Sequence, residues 1–424
     1  MLRKKDTLLV GFALFSLFFG AGNLILPPYL GFTSGIDWWV VTLGFVLTGV
    51  VVPIFGIVAH ARLQGTLFDV GKKVSPTFSL IYAYLIYLIS ILLPAPRTAA
   101  VTHEIAIAPL FNSPSWLSST IYFALVFVFA LNRSKVLSII GKFLTPAILL
   151  ILAAIIISAI VGFDSPLAPS SVAHGFSTGF LEGYQTFDAI AAVVVGGVII
   201  ISVNLDFKQL DAAYKRKLIA RAGLIAGLGL FAVYAGLIYT GARLQSEFIG
   251  ITDRTALLSE ISIITLGNIA SLLLSVLVSL ACFTTAVGII TGTADFMKGR
   301  CNESQSVYIV TVALCCLIGL LVGQFNVEFI IKVAVPALMF IYPVTIILIL
   351  LNVVPDTLGS PKVFKWVTAT AVLFSTPDFL ATIGYPQLGN IASDWLPLAK
   401  FQMGWILPCM LIFAIVNATK KIGA

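Results

Sequence analysis

The chain has 424 residues, 59% of them hydrophobic and only 10% charged, with a mean hydropathy of +1.07. Soluble domains carry about 25% charged residues, so this composition excludes a soluble enzyme or binding domain and points to a polytopic membrane protein. The formal charge of +7 is not a nucleic-acid signature, because no basic cluster carries interleaved aromatics.

Runs of about 20 apolar residues mark membrane spans. Twelve are expected, near 7–30, 38–61, 77–97, 117–131, 141–162, 176–201, 221–242, 262–290, 304–323, 328–351, 363–383 and 400–418. The fold class is therefore all-α, one transmembrane domain over 1–424. Arg3-Lys4-Lys5 ahead of an apolar run mimics a signal peptide. No small-residue cleavage site precedes Pro27-Pro28 and the run is too long, so an uncleaved first span is expected.

The first span carries Phe18-Phe19-Gly20-Ala21-Gly22-Asn23-Leu24-Ile25-Leu26-Pro27-Pro28. Glycine weakens a helix, and proline removes a donor and clashes with the preceding turn. Two half-helices are expected, Thr7–Phe19 and Asn23–Leu30, with open backbone between them. Such backbone is tolerated at membrane depth only where it lines a cavity or is buried in protein. The competing reading is a kinked packing helix whose glycines admit a neighbour. The third span ends awkwardly at Pro94-Ala95-Pro96. It leaves Arg97 near the outer end, as part of an outer gate or snorkelling to the interface.

The sixth span reads Gly179-Phe180-Leu181-Glu182-Gly183-Tyr184-Gln185-Thr186-Phe187-Asp188-Ala189 before a smooth apolar run. Ionisable residues within spans are costly and usually mark a functional path. A position near the outer surface is reasonable for Glu182 and weaker for Asp188. The connection 242–261, with Glu247, Asp253, Arg254 and Glu260, could form a short cap over an outer mouth. The eighth span carries Ala281-Cys282-Phe283-Thr284-Thr285. Paired hydroxyls can complete an oxygen shell for a hard cation such as Na⁺, although threonine commonly bonds its own helix. Lys332 stands four residues after Glu328, the spacing of a helical ion pair.

Twenty of the 25 lysines and arginines fall in loops on one side of this topology, and only Arg243, Arg254 and Lys400 on the other. By the positive-inside rule both termini are expected in the cytoplasm. The first and sixth spans are both interrupted and enter the membrane from opposite sides. That is the inverted 5+5 repeat of secondary transporters, with the site at the two interruptions. The repeats would cover about 7–162 and 176–351, with helices over 363–418 outside them.

Other chemistries find little purchase. Five cysteines show no metal-ligand spacing, and adjacent Cys315-Cys316 is a poor disulfide framework. His60, His103 and His174 are dispersed. Neither H-E-x-x-H nor G-x-x-x-x-G-K-[ST] occurs, so neither an intramembrane enzyme nor an ATP-driven pump is expected. No repeated filter sequence supports a channel.

Three stretches carry a resemblance. The first-span motif, Pro94-Ala95-Pro96-Arg97-Thr98 and Leu181–Ala189 resemble the bacterial branched-chain amino acid:cation symporters, the BrnQ-type carriers of the amino acid–polyamine–cation superfamily. The resemblance covers essentially the whole chain. It implies the leucine-transporter fold, with discontinuous first and sixth helices, in a bacterial inner membrane. It implies uptake of leucine, isoleucine and valine driven by Na⁺, with no other cofactor. Gly20, Ala21, Gly22 and Asn23 would then meet the substrate carboxylate. The break around Glu182, Gly183, Tyr184, Thr186 and Asp188 would accept the ammonium. Ala281, Thr284 and Thr285 would hold Na⁺ with the carbonyls of Ser16 and Phe19. One coupling ion is expected. Phe18, Phe19, Tyr84, Tyr184 and Phe187 are candidates for an apolar wall. The alternatives are another small solute or H⁺ coupling, with Glu182 or Asp188 carrying the proton. Oligomeric state is left open.

Overall fold

The computed structural model describes residues 4–132, 135–206, 211–248 and 250–422. Arg3, Arg133 and Lys208 of the charge count lie outside them. The described residues form helices and connecting turns, with no strand among them. Uninterrupted apolar runs impose this, because in lipid a helix satisfies its own backbone.

The first part of the chain forms α1 (Lys4–Phe18), α2 (Ala21–Ser34), α3 (Trp38–Val46), α4 (Val52–Leu63), α5 (Pro76–Leu92), α6 (Pro94–Thr102), α7 (Ser115–Asn132) and α8 (Lys135–Gly162). Then come α9 (Gly175–Glu182), α10 (Asp188–Asp206), α11 (Ala212–Arg243), α12 (Arg254–Arg300), α13 (Gln305–Gly323) and α14 (Val327–Val353). The chain closes with α15 (Pro361–Thr382), α16 (Pro386–Trp395) and α17 (Ile406–Ile422). Polar side chains punctuate the runs. Ser75, Asp211, Asp253, Asn326 and Ser360 each accept from a backbone N–H three residues on and so cap α5, α11, α12, α14 and α15. Among the described residues, seven helical stretches are long and apolar enough to cross a membrane, Gly22–Leu63, Pro76–Phe111 and Ser271–Arg300 among them.

Three boundaries differ from the sequence expectation, each for a local reason. The second half-helix, expected over Asn23–Leu30, begins at Ala21, carries Pro27 and Pro28 inside it and continues to Ser34. Here α2 lies hard against α11: a Cβ on Gly31 would overlap the Ile238 carbonyl, and one on Gly241 the Pro28 carbonyl. That contact holds the proline-bearing turn in place. The third helix does not stop at Pro94-Ala95-Pro96. Leu93 (φ −121°, ψ −70°) forms a joint, and Pro94 starts α6 in the first-turn position where its missing N–H costs nothing. Helix then runs on to Phe111. Third, α12 is kinked at Gly267 (φ 80°, ψ 174°). Residues 254–266 form a separate piece, and the long helix that ends at Arg300 begins only after it.

Loops placed on one side by their charge meet one another. Lys73 pairs with Asp356 at 2.8 Å, and Arg62 donates to the carbonyls of Val353 and Val354. At the other end Arg243 pairs with Asp164 at 2.8 Å, Ile36 N–H donates to the Ala168 carbonyl, and Arg254 bridges Glu182 and Glu328. No such bond, among the described residues, joins the two sets.

Candidate functional site

Two interruptions lie side by side within the bundle. The first is two residues long. Phe19 still donates to the Phe15 carbonyl at 2.9 Å, Gly20 is extended (φ −118°, ψ −170°), and α2 starts at Ala21. The break is thus shorter than the expected gap from Phe19 to Asn23. The second begins where α9 ends. Gly183–Thr186 wind into a 3₁₀ turn, Phe187 adopts a left-handed conformation (φ 62°, ψ 11°), and α10 starts at Asp188. A left-handed phenylalanine costs on the order of 1–3 kcal/mol and persists only where its surroundings impose it; such strain collects at functional sites.

Side chains join the breaks. Asn23, 1% exposed, donates from Nδ2 to the Phe18 carbonyl and to Asp188 Oδ2, each at 2.9 Å. The Tyr234 hydroxyl of α11 closes against the Asn23 amide and donates to the same Asp188 oxygen at 3.1 Å. Asp188 is 2% exposed, and its N–H donates to Thr186 Oγ1 at 3.2 Å. Its carboxylate stands at the first residue of α10, where a helix favours negative charge. Thr186 in turn donates to the Gly183 carbonyl at 2.9 Å.

Arg97 is the residue the sequence misplaced. The continuation of the third helix through α6 carries it into the bundle, where it is 3% exposed. It is neither at an outer gate nor at a lipid interface. Its Nη1 donates to the Gln185 carbonyl at 2.7 Å, and the guanidinium carbon lies 5.1 Å from the centre of the Phe187 ring. A Cβ on Gly22 would sit 3.0 Å from Arg97 Cζ and overlap Nη2. So one cation touches both breaks. The signal was an arginine inside a proline-bearing apolar segment. Tyr234 gave no signal at all, as one of 12 tyrosines in a plain helix.

Other expected residues divide. Gly183 packs against α3 and the turn after it, where a Cβ would overlap Thr48 Oγ1. Tyr184 turns to the core behind the break and stacks on Tyr342 at 4.2 Å. Glu182 is not brought to the break. Its carboxylate meets Arg254 at 3.0 Å, and Arg254 meets Glu328 at 3.0 Å and lies over the Tyr29 ring. Glu328 therefore pairs across helices rather than serving Lys332. Tyr84 is 41% exposed and packs edge-on to Phe296, away from both breaks. Phe18, Phe19 and Phe187 are buried.

The eighth helix approaches the first break. A Cβ on Gly20 would lie 3.7 Å from Thr285 Oγ1. The Thr284 hydroxyl donates to the Ala281 carbonyl at 3.0 Å, the intrahelical bond threonine commonly makes. Its oxygen lone pairs remain usable. Ala281 is buried, and Ser16, Thr284 and Thr285 are half-buried.

Two helix breaks joined by buried polar side chains, in a bundle of long apolar helices, have the layout of a membrane transporter site. The overall fold is similar to that of Mhp1 in an inward-facing conformation, with a TM-score of 0.62 and 14% identity over 98% of this chain and 91% of that one. It also resembles Mhp1, a nucleobase-cation-symport-1 family transporter, in a closed conformation with bromovinylhydantoin bound (TM-score 0.55, 13% identity, 97% and 91% covered). Residues 3–422 match the family described as branched-chain amino acid transport protein. The branched-chain amino acid permease BraB of Bacillus subtilis (strain 168) is 33% identical over 95% of this chain and 93% of its own. A putative branched-chain amino acid carrier protein of Staphylococcus aureus (strain MRSA252) is 32% identical over 98% and 96%. The chain belongs to the branched-chain amino acid transport protein family. It is a transporter and not an enzyme.

Proposed function

We propose that the protein is a secondary symporter that couples Na⁺ entry to uptake of leucine, isoleucine and valine, with the amino acid held between the two breaks. The observation that carries this is the direct hydrogen bond from Asn23 of the first break to Asp188 of the second, 165 residues apart in sequence. A zwitterion needs donors for its carboxylate and acceptors for its ammonium within one small volume. Helix ends turned toward each other supply both, because their partial charges oppose the ligand's. The first break offers the N–H groups of Gly20, Ala21 and Gly22 and the Asn23 side chain, since the Asn23 N–H already donates to the Gly20 carbonyl at 3.2 Å. The second offers the carbonyls of Gly183 to Thr186 and the Asp188 carboxylate. Glu182 has no part in this reading.

Buried Phe18, Phe19 and Phe187 supply apolar surface for a branched side chain. A hydrophobic pocket separates one methylene by only about 1–3 kcal/mol, so all three branched-chain amino acids should be accepted. Sodium would lie between α12 and the first break. Its oxygens would come from Thr284, Thr285 and the carbonyls of Ala281, Ser16 and Phe19, and the 3.7 Å approach of Thr285 to the Gly20 Cβ position supports this. The breaks in the first and sixth helices fit an inverted 5+5 repeat over 7–162 and 176–351, within twelve spans. In this reading the chain sits in a bacterial inner membrane, and the bias of lysine and arginine toward one set of loops supports cytoplasmic termini.

Labelled leucine in proteoliposomes tests the reading. Uptake should accumulate against its gradient under an inward Na⁺ gradient, and counterflow should persist at equal Na⁺. Accumulation that follows a pH gradient and ignores Na⁺ would overturn the coupling.

A second reading, H⁺ coupling, has one observation in its favour: Asp188 is a buried acid bonded to Asn23 and Tyr234. Asp188→Asn decides it. A proton-carrying Asp188 gives a variant that exchanges leucine but no longer responds to pH. A residue that only orients the break and holds the ammonium gives a variant that loses exchange as well.

A further inference from the structure

Arg97 presents a problem of electrostatics that the breaks alone do not solve. Its guanidinium is buried and keeps its charge under any ordinary condition. Among the described residues it forms no ion pair. The carboxylate of the second break, Asp188, takes hydrogen bonds from Asn23 and Tyr234 on Oδ2 and makes no ion pair with Arg97. One Arg97 nitrogen bonds the Gln185 carbonyl, while Nε has no hydrogen-bond partner. Moreover, the guanidinium lies against Gly22 in the first turn of α2, the positive end of that helix, where a cation is disfavoured. The buried guanidinium meets the first turn of α2 beside Gly22, and Nε is a donor left unused; a cation, a spare donor and a helix N-terminus all attract an anion.

We propose that Arg97 binds the substrate's carboxylate, closing on it from one side while the N–H groups that open α2 close from the other. Asp188, across the breaks, then receives the ammonium. This rests on the reading of the two breaks as an amino acid site, and it adds a charged residue to a role given above to backbone alone. Arg97 and Asp188 are opposite charges held apart by Gly22 and Asn23. An α-amino acid is a matching pair of opposite charges, so ligand and site neutralise each other end to end. The Arg97 fork now fills the space beside Gly22; the carboxylate takes that space as the guanidinium draws back, still bonded to Gln185. A planar fork suits a carboxylate bidentately, which lysine cannot reproduce. The site should therefore demand a free carboxylate, rejecting amides and amines of the same side chain.

Calorimetric titration of the purified full-length carrier with leucine and with leucinamide, which keeps the ammonium and loses the carboxylate, tests this. Charge-assisted hydrogen bonds are worth about 1.5–3 kcal/mol, or about ten- to hundredfold in affinity. Wild type should prefer leucine to leucinamide by at least about tenfold. Arg97→Gln should weaken leucine by about ten- to hundredfold and leave leucinamide nearly unchanged, erasing the preference. Arg97→Lys should recover part of it, and if Arg97→Gln does not fold, this variant alone decides by its reduced ratio. Leucine and leucinamide weakening by the same factor would make Arg97 a packing residue and overturn the proposal. So would a variant ratio equal to that of wild type. Wild type that binds no branched-chain amino acid would overturn the substrate reading and this inference with it; wild-type binding with unaltered variants overturns this inference alone.

Discussion

Gly22 shows how much one hydrogen atom decides. Its α-carbon lies where the first turn of α2 meets the Arg97 guanidinium, and any side chain there would overlap Nη2. Overpacking a tight site costs about 1–3 kcal/mol, and here the displaced group is the charged one. Gly22→Leu should therefore insert and fold yet take up leucine about a hundredfold more slowly. Full uptake by this variant, with membrane levels checked by immunoblot, would mean the glycine serves only helix packing. The first break was legible because Gly-Ala-Gly-Asn followed by Pro-Pro weakens a lipid-crossing helix, although the open backbone is confined to Phe19 and Gly20 and α2 resumes at Ala21. The sixth was legible because Glu182 and Asp188 are expensive there. The sequence could not separate those two acids. Both lie near one break, but Glu182 ends α9 within reach of Arg254, whereas Asp188 begins α10 and faces Asn23.

Among the elements, the informative differences come from residues read as helix terminators. Pro94-Ala95-Pro96 looked like the end of a span, yet Pro94 occupies a first-turn position and α6 follows. Pattern alone does not tell a proline that stops a helix from one that starts the next, because both lack the same N–H. That ambiguity moved Arg97 from the centre of the bundle to its surface in the sequence reading. Gly267 gave the reverse error, a continuous helix expected where the chain kinks. Its backbone (φ 80°, ψ 174°) is a region essentially reserved for glycine, costing others on the order of 1–3 kcal/mol. No atom lies within 4 Å of the Cβ position, so the cost of Gly267→Ala is conformational and not steric. The thermal midpoint of Gly267→Ala in detergent should fall below that of wild type. An unchanged midpoint would mean that α12 is straight there.

At the scale of the whole molecule, contacts gather the loops into the same two sets that charge does. Loops assigned to one side by lysine and arginine count bond one another, as Lys73–Asp356 and Arg243–Asp164 do. Contacts of the second set gather on Arg254, which ties Glu182 to Glu328, while Glu104 holds Thr255 at 2.7 Å and the Val327 N–H at 2.9 Å. A cysteine introduced at exposed Ser246 should react with an impermeant thiol reagent added outside intact cells, and one at exposed Ala213 should not. The opposite pattern would invert the topology. The number of crossings was less legible than the grouping of loops into two sets. Hydropathy counts apolar runs, but a broken helix such as α1 with α2, or α9 with α10, divides one crossing between two short pieces.

Coupling would join these scales, because the proposed cation site is at the approach of α12 to the first break, where Thr285 Oγ1 lies 3.7 Å from the Gly20 Cβ position. If Na⁺ there stabilises the assembled breaks, it must tighten leucine binding, and leucine must tighten Na⁺ binding by the same factor. The most direct measurement is equilibrium binding of labelled leucine to the purified carrier across a series of Na⁺ concentrations, for wild type and Thr285→Ala. Wild type should bind leucine about 5- to 150-fold more tightly at saturating Na⁺ than without it, the usual range of coupling between sites. Thr285→Ala should need a much higher Na⁺ concentration to reach nearly the same leucine affinity. Leucine affinity independent of Na⁺ in wild type, or an identical Na⁺ dependence in the two proteins, would contradict a sodium-coupled site at the first break.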